Sequence, residues 1–277
     1  MKLIVTGAGG GLGRAFLEVV PPHHDVAAYS HQDLDIADHD AVMRKLGGSK
    51  ADAILNFAAF TKVDACETHP EEAFRSNALG VQSLAMAARA TDAILLHVST
   101  DYVFDGLKGS AYDETDLPNP LAVYAKSTLA GERVARDLVP DSFVVRTSVV
   151  FGGGADYISS AIARLAKGEA AGGIADRIGT PTYVKHLAER IMPLVLSERF
   201  GTYHLAGPEA TNWFEVLRRA KQIGDLPGEP FEQSAGDLGL AAERPLNSSL
   251  RSVYAEEVGI PPMPPLDQAI KELLDAG

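Results

Sequence analysis

The chain has 277 residues, 46% of them apolar and 22% charged, with a mean hydropathy near zero. That is the composition of a globular protein, long enough to bury a large core as one domain or two intimate ones. Lys and Arg number 25 against 37 Asp and Glu, and the resulting charge of −12 argues against a phosphate-backbone partner such as nucleic acid. Cys66 is the single cysteine, which excludes an intrachain disulfide and a cysteine-rich zinc site. The histidines are scattered, with His23 and His24 in a polar turn, and no metal site is expected. No apolar run is long enough to cross a membrane, and the N-terminus has the pattern of a buried strand rather than a leader. A cytoplasmic protein without a membrane partner is expected.

In chain order, the first half alternates short apolar runs with amphipathic stretches. Strands are predicted at Leu3–Thr6, Val26–Tyr29, Ala53–Leu55, Ile94–Val98 and Phe143–Arg146. Continuous apolar runs of this length suit strands covered on both faces of a parallel sheet. Helices are predicted between them at Gly11–Val20, Asp38–Leu46 with an acidic cap, Glu71–Ala90 and Leu121–Leu138. Such alternation implies βαβ units and a Rossmann-type doubly wound α/β sheet. After Gly152-Gly153-Gly154 the texture changes to helices at Tyr157–Lys167, Val184–Ser197, Trp213–Ile223 and Leu266–Asp275, parted by Gly- and Pro-rich loops at Gly168–Thr182 and Pro261–Pro265. One further short strand is expected at Tyr203–Leu205. The expected organisation is a dinucleotide-binding core over residues 1–150, to which about 183–205 return. A smaller substrate-binding lobe occupies most of 151–277.

The first predicted strand runs into Gly7-Ala8-Gly9-Gly10-Gly11-Leu12-Gly13 and then a helix. Gly7, Gly10 and Gly13 give GxxGxxG, with glycine where the turn is tight, where backbone approaches a pyrophosphate and where helix packs on strand. The helix N-terminus adds free N–H groups and the positive end of its dipole, so Gly11 and Leu12 join the expected cofactor contacts. Strand two ends at Tyr29-Ser30-His31 with no carboxylate for the adenosine ribose. Ser30 and His31 suit a 2′-phosphate, which favours NADP, with NAD as the alternative. Asp35 and Ile36 are placed to meet the adenine.

Three more segments follow: Asn56-Phe57-Ala58-Ala59, Ser99-Thr100-Asp101-Tyr102-Val103-Phe104 and Tyr124-Ala125-Lys126-Ser127-Thr128. With the glycine turn, and with Asp33–Ile36, Leu129–Glu132, Arg146–Ser148, Gly179–Thr182 and Arg244–Asn247, they resemble the extended short-chain dehydrogenase/reductase family. Within it they are similar to the dTDP-4-dehydrorhamnose reductases. The resemblance implies cofactor contacts at Ala58, Ala59, Phe60 and Tyr124. It also implies a hydride transfer to a 4-keto sugar, with Tyr124 as the general acid and Thr100 bonded to the carbonyl oxygen. Thr100, Asp101 and Val149 then face the substrate.

Two positions depart from the family pattern. Thr128 stands where Tyr-x-x-x-Lys has its lysine, which binds the nicotinamide ribose and lowers the tyrosine pKa. Lys126 is two positions along a helix, about 200° around the axis, and does not share that face. Thr128 is left to bond a ribose hydroxyl or a water. Val149 stands where the family carries Trp after Arg-Thr-Ser. Arg146, Arg177 and Arg244 are candidates for a diphosphate or carboxylate on the substrate, because planar guanidinium forks suit both.

The expected function is therefore reduction of a nucleotide-linked 4-keto-6-deoxysugar or related ketone, slowed or specialised by Thr128, with a homodimer compatible with the acidic surface. The alternative is an NADP-binding partner subunit, resembling the regulatory β subunit of methionine adenosyltransferase. An epimerase or dehydratase on the same fold is a third class, with Asp101 beside Thr100 as its acid.

Overall fold

The computed structural model describes residues 1–276. Gly277, the last residue of the expected second lobe, lies outside them. In chain order the elements are β1 (Lys2–Thr6), α1 (Gly11–Val19), β2 (Asp25–Tyr29), α2 (His39–Leu46), β3 (Ala53–Asn56), α3 (Val63–Thr68) and α4 (Pro70–Phe74). A π-helical turn over Arg75–Leu79 leads into α5 (Gly80–Thr91), then β4 (Ile94–Thr100), α6 (Val123–Leu138) and β5 (Ser142–Thr147). The second half holds β6 (Val150–Phe151), α7 (Tyr157–Ala166), β7 (Ala171–Ile174), β8 (Thr182–Tyr183) and α8 (Val184–Ser197). It ends with β9 (Gly201–His204), α9 (Trp213–Gly224), β10 (Pro230–Gln233) and α10 (Leu266–Ala276).

Six strands form one parallel sheet in the order β2-β1-β3-β4-β5-β9. From β1 the chain moves outward to β2, then back across β1 to β3 and onward. The carboxyl ends of β1 and β3 thus flank the point where strand order reverses, which is where open α/β sheets bind ligands. The inner strands carry apolar runs on both faces because both faces are covered, with polar residues mainly toward their ends. Leu3, Val5, Leu55, Leu96 and Val145 meet α1 and α8 on one face, while Ile4, Ile54 and Leu95 meet α2 and α5 on the other. Asp38 caps α2, its side chain accepting from the Ala41 N–H at 2.9 Å.

The stretch expected as one helix over Glu71–Ala90 is broken into α4, the π-helical turn and α5. The stretch expected as loop from Gly168 to Thr182 contains β7, paired with β10. Its Ala-Gly-Gly-Ile sequence has no apolar alternation, so nothing in it signals a strand. Residues 151–177 and 211–233, together with α10, share a core that joins Phe151, Ile162, Leu165, Val216, Leu217 and Ile270. β9 extends the large sheet beside β5.

Candidate active site

The turn after β1 is shaped by steric exclusion. Gly7 has φ +74°, and a Cβ there would lie 2.5 Å from backbone atoms of Phe57 and Ala58. A Cβ on Gly13 would meet the Gly7 carbonyl oxygen. The β1 and β3 turns and the start of α1 therefore touch through backbone alone. Gly10, the N-cap of α1, supplies no side-chain cap, and no acidic residue sits in the first turn. The N–H groups there remain free for an anion, with the helix dipole aligned. Below them, Asn56 Oδ1 accepts from Thr6 Oγ1 at 2.7 Å and from the Ala58 N–H at 3.1 Å, and Asn56 Nδ2 meets His97 Nδ1 at 3.0 Å. Burial pulls the His97 imidazole down to about 4, so this buried chain is neutral and ties β1, β3 and β4 together.

Two connected hollows follow the sheet edge. One, of about 600 Å³, gathers Gly7, Gly10, Ser30, His31, Asp35 and Ile36 with Ala58, Ala59 and Phe60. The other, of about 660 Å³, gathers Gly10, Gly11, Leu12 and Gly13 with Thr100, Asp101, Tyr124 and Val149. Phe57 and Ala59 line both. The dimensions, the uncapped helix end and the side-chain-free cradle fit an extended dinucleotide.

At the end of β2 a carboxylate does arrive, from three residues along. Asp33 Oδ2 accepts from the Ser30 N–H at 2.9 Å and from Ser30 Oγ at 2.6 Å. Ser30 thus already spends its donors, a local turn invisible in a reading that stops at the strand end. These bonds hold the Asp33 carboxyl below its ordinary range.

At the edge of the larger hollow, β4 and β5 finish level, with Thr100 opposite Thr147. Thr147 lines the larger hollow, and its buried Oγ1 has no hydrogen-bond partner among the described residues. Thr100 Oγ1 accepts from the Tyr102 N–H and donates to Asp101 Oδ1, each at 3.2 Å. Tyr124 lies in the first turn of α6, whose leading Val123 N–H is capped by Glu67 Oε1 at 2.8 Å. Further along α6, Glu132 grips Arg146 of β5 with two bonds, at 2.9 and 2.7 Å, and accepts from Ser99 Oγ. Both partners of this ion pair are buried, so removing either would strand a charge, at a cost of about 3–5 kcal/mol. Arg146 is accordingly a structural cation and is not available to substrate.

Burial pushes the Tyr124 phenol up to about 12, Asp101 adds to the rise, and the Thr100 and Thr128 hydroxyls oppose it. No cation is among the causes. Thr128 is 3% exposed, does not line the hollow, and donates to the Tyr124 backbone oxygen at 2.8 Å. Its expected role at the ribose is therefore not what its side chain does here. Lys126 is exposed on the outside of α6.

Asp101 borders the hollow, but its Oδ2 is held by Ser148 at 2.8 Å and Ser248 at 2.5 Å, and burial raises its carboxyl to about 6. Arg244 is clamped by Asp64, at 3.1 and 2.6 Å, and leans on Tyr102, whose ring meets Tyr124 edge-on with centroids 6.3 Å apart. Arg177 pairs with Asp176 beyond the hollow. The expected arginine set is thus not assembled around a substrate. Val149 lines the hollow with φ +45°, a strained conformation for a β-branched residue.

Residues the sequence reading missed include Asn77, Tyr102, Asp64 and Trp213. Asn77 sits in the π-helical turn, accepts from the Phe60 N–H at 2.7 Å and donates to Ser127 Oγ at 3.0 Å, joining the β3 loop to α6. An asparagine in the middle of an otherwise good helical sequence was the available signal. Trp213 opens α9 and lines the same hollow as the glycine turn.

The family model for the RmlD substrate binding domain matches residues 1–277. The chain belongs to this family. A dTDP-4-dehydrorhamnose reductase of Aggregatibacter actinomycetemcomitans is 36% identical over 264 residues, covering 90% of each chain. The spore coat polysaccharide biosynthesis protein SpsK of Bacillus subtilis is 33% identical, covering 94% of this chain and 93% of that one. The dTDP-4-dehydrorhamnose reductase of Bacillus anthracis, solved in complex with NADP, superimposes with a TM-score of 0.95 at 30% identity, over 100% of this chain and 99% of that one. Family membership accords with the doubly wound sheet and the glycine turn, and it adds nothing about Thr128.

Proposed function

We propose that this chain is an NADPH- or NADH-dependent reductase of a nucleotide-linked 4-keto-6-deoxysugar, the reaction for which its relatives are named. One observation carries the reading: Tyr124 and Thr100 border the same hollow as the anion-ready turn at Gly10–Gly13. Bound there, the reduced cofactor supplies the hydride. The remaining chemistry belongs to the chain. The Tyr124 phenol, protonated throughout the neutral range, gives its proton to the carbonyl oxygen as negative charge develops there. The Thr100 hydroxyl, held on the other side by the Tyr102 N–H, turns from its long bond to Asp101 toward the same oxygen. The phenolate left behind regains its proton readily, because nothing cationic stabilises it. Alcohol oxidation would need that phenolate at the start, so the site favours reduction.

Mixing the protein with NADPH or NADH and dTDP-4-dehydrorhamnose should consume reduced nicotinamide, followed by its absorbance. Tight cofactor binding without turnover of any keto-sugar nucleotide would overturn the enzymatic reading. A second reading, a dinucleotide-binding partner subunit, is favoured by the absence of a cation at Tyr124, and co-purification of a partner enzyme alongside absent turnover would support it.

A further inference from the structure

The hollow that must accept a dinucleotide is bordered by one cationic side chain, Arg14, and by two acidic ones, Asp101 and Asp156. In a chain of net charge −12 this is a poor setting for a diphosphate unless that cation serves it. We propose that Arg14 is the electrostatic anchor of the cofactor's diphosphate, clasping the Gly152–Gly154 loop over it. This rests on the dinucleotide site of the proposed function.

Arg14 lies in α1, one residue past the glycine turn. Its guanidinium reaches two carbonyl oxygens, that of Gly9 in the turn and that of Gly153 at 2.6 Å. It makes no ion pair among the described residues, whereas Arg146 and Arg244 are held by Glu132 and Asp64. A guanidinium has five N–H donors, and these two bonds leave others for an anion. The loop and helix meet without side chains between them: a Cβ on Gly11 would lie 2.9 Å from Gly153 Cα. The first-turn N–H groups, the Arg14 fork and the Gly153 backbone therefore border one space. A diphosphate there would take neutral N–H bonds from the helix and charge-assisted bonds from Arg14. The cofactor's diphosphate is assigned rather than a substrate's because Arg14 is tied to the Gly9 carbonyl, inside the cradle.

The test titrates the full chain and its Arg14→Met and Arg14→Lys variants with NADPH, adenosine and thymidine diphosphate, at low and high salt. Arg14→Met should weaken NADPH roughly 10- to 100-fold, the loss of a charge-assisted contact. Adenosine, without phosphate, should bind as before. Arg14→Lys should recover part of the loss, and the difference between parent and Arg14→Met should shrink as salt rises. Unchanged NADPH affinity in Arg14→Met overturns the anchor. So does equal loss of adenosine and NADPH, which would mean that the loop has come apart. Loss confined to thymidine diphosphate would overturn the assignment to the cofactor. A parent protein that binds no dinucleotide would overturn the proposed function itself, and the anchor with it.

Discussion

At the nucleotide end of the site the groups offered to a ligand are backbone N–H donors in a turn kept open by Gly7 and Gly13, with the Arg14 guanidinium beside them, whereas at the reaction end they are the side-chain hydroxyls of Thr100 and Tyr124. Exclusion of side chains holds the first end. A Cβ at Gly7 or Gly13 collides with backbone, so few sequences satisfy it. The second end is held by what supports it, Glu67 capping α6 and Glu132 gripping Arg146, and neither support uses the Thr128 side chain. A substitution at 128 can thus alter chemistry without loosening the scaffold that aims Tyr124.

The largest test of that contrast is Tyr124→Phe. Removing the proton donor should lower ketone reduction roughly 10²- to 10⁴-fold. Because the nucleotide end is made by other elements, cofactor titration should still saturate. Retained turnover would mean that the proton comes from elsewhere. Thr100→Val, which keeps the β-branched shape, should cost roughly 100-fold in kcat for loss of one donor to the developing oxyanion. An unchanged kcat would remove Thr100 from the reaction end.

Thr128→Lys attacks the contrast from the other side. An ammonium near Tyr124 should pull the phenol down from about 12, and the sign then differs with direction. Oxidation uses the ionised phenol, so its rate should rise, and the rise should begin at lower pH than in the parent. Reduction uses the protonated phenol, so the variant should lose rate at alkaline pH where the parent stays level. The gain in oxidation at neutral pH should be roughly 10- to 100-fold if the new charge reaches the hollow. Parallel pH–rate profiles for the two proteins in both directions would sink the claim that a missing cation limits this site.

The nucleotide end was also the more legible one. GxxGxxG after an apolar strand points to its own geometry, because the positive φ of Gly7 and the close packing of Gly13 on Gly7 and Ala8 are local backbone needs, although Gly7 also makes room for the β3 turn. The hydrophobic runs place all six strands of the main sheet for the same reason: period and burial are local properties. The reaction end was legible in residue type but not in partners. That Arg146 is consumed by Glu132, or that Asp101 turns to Ser148 and Ser248, depends on side chains 14, 47 and 147 residues away meeting in space. Thr128 shows a subtler limit. Its absence of charge was plain, yet its hydroxyl bonding back to the Tyr124 carbonyl is one of several options a helical threonine has. The break into a π-helical turn around Asn77 leaves no mark on the helical period, and the glycine-rich strand β7 has no strand signal.

The smallest expected effect concerns the adenosine end, where sequence and structure pull in different directions. Ser30 and His31 suit a 2′-phosphate, but the structure gives both Ser30 donors to Asp33, which those bonds keep ionised. If the ribose lies at the β2 end, a 2′-hydroxyl finds an acceptor in that carboxylate and a 2′-phosphate finds a like charge, offset by Lys45, whose Nζ donates to the Asp33 carbonyl oxygen at 2.8 Å. Asp33 is exposed, so solvent and salt screen most of the repulsion and the consequence is modest. Asp33→Asn keeps an acceptor for Ser30 while deleting the charge. It should shift the ratio of NADH to NADPH dissociation constants toward NADPH by roughly 2- to 5-fold at low ionic strength, and by less in high salt. A ratio that stays put at low ionic strength would place the ribose away from Asp33. The hollow around His31 and Ile36 would then have to hold some other part of the ligand.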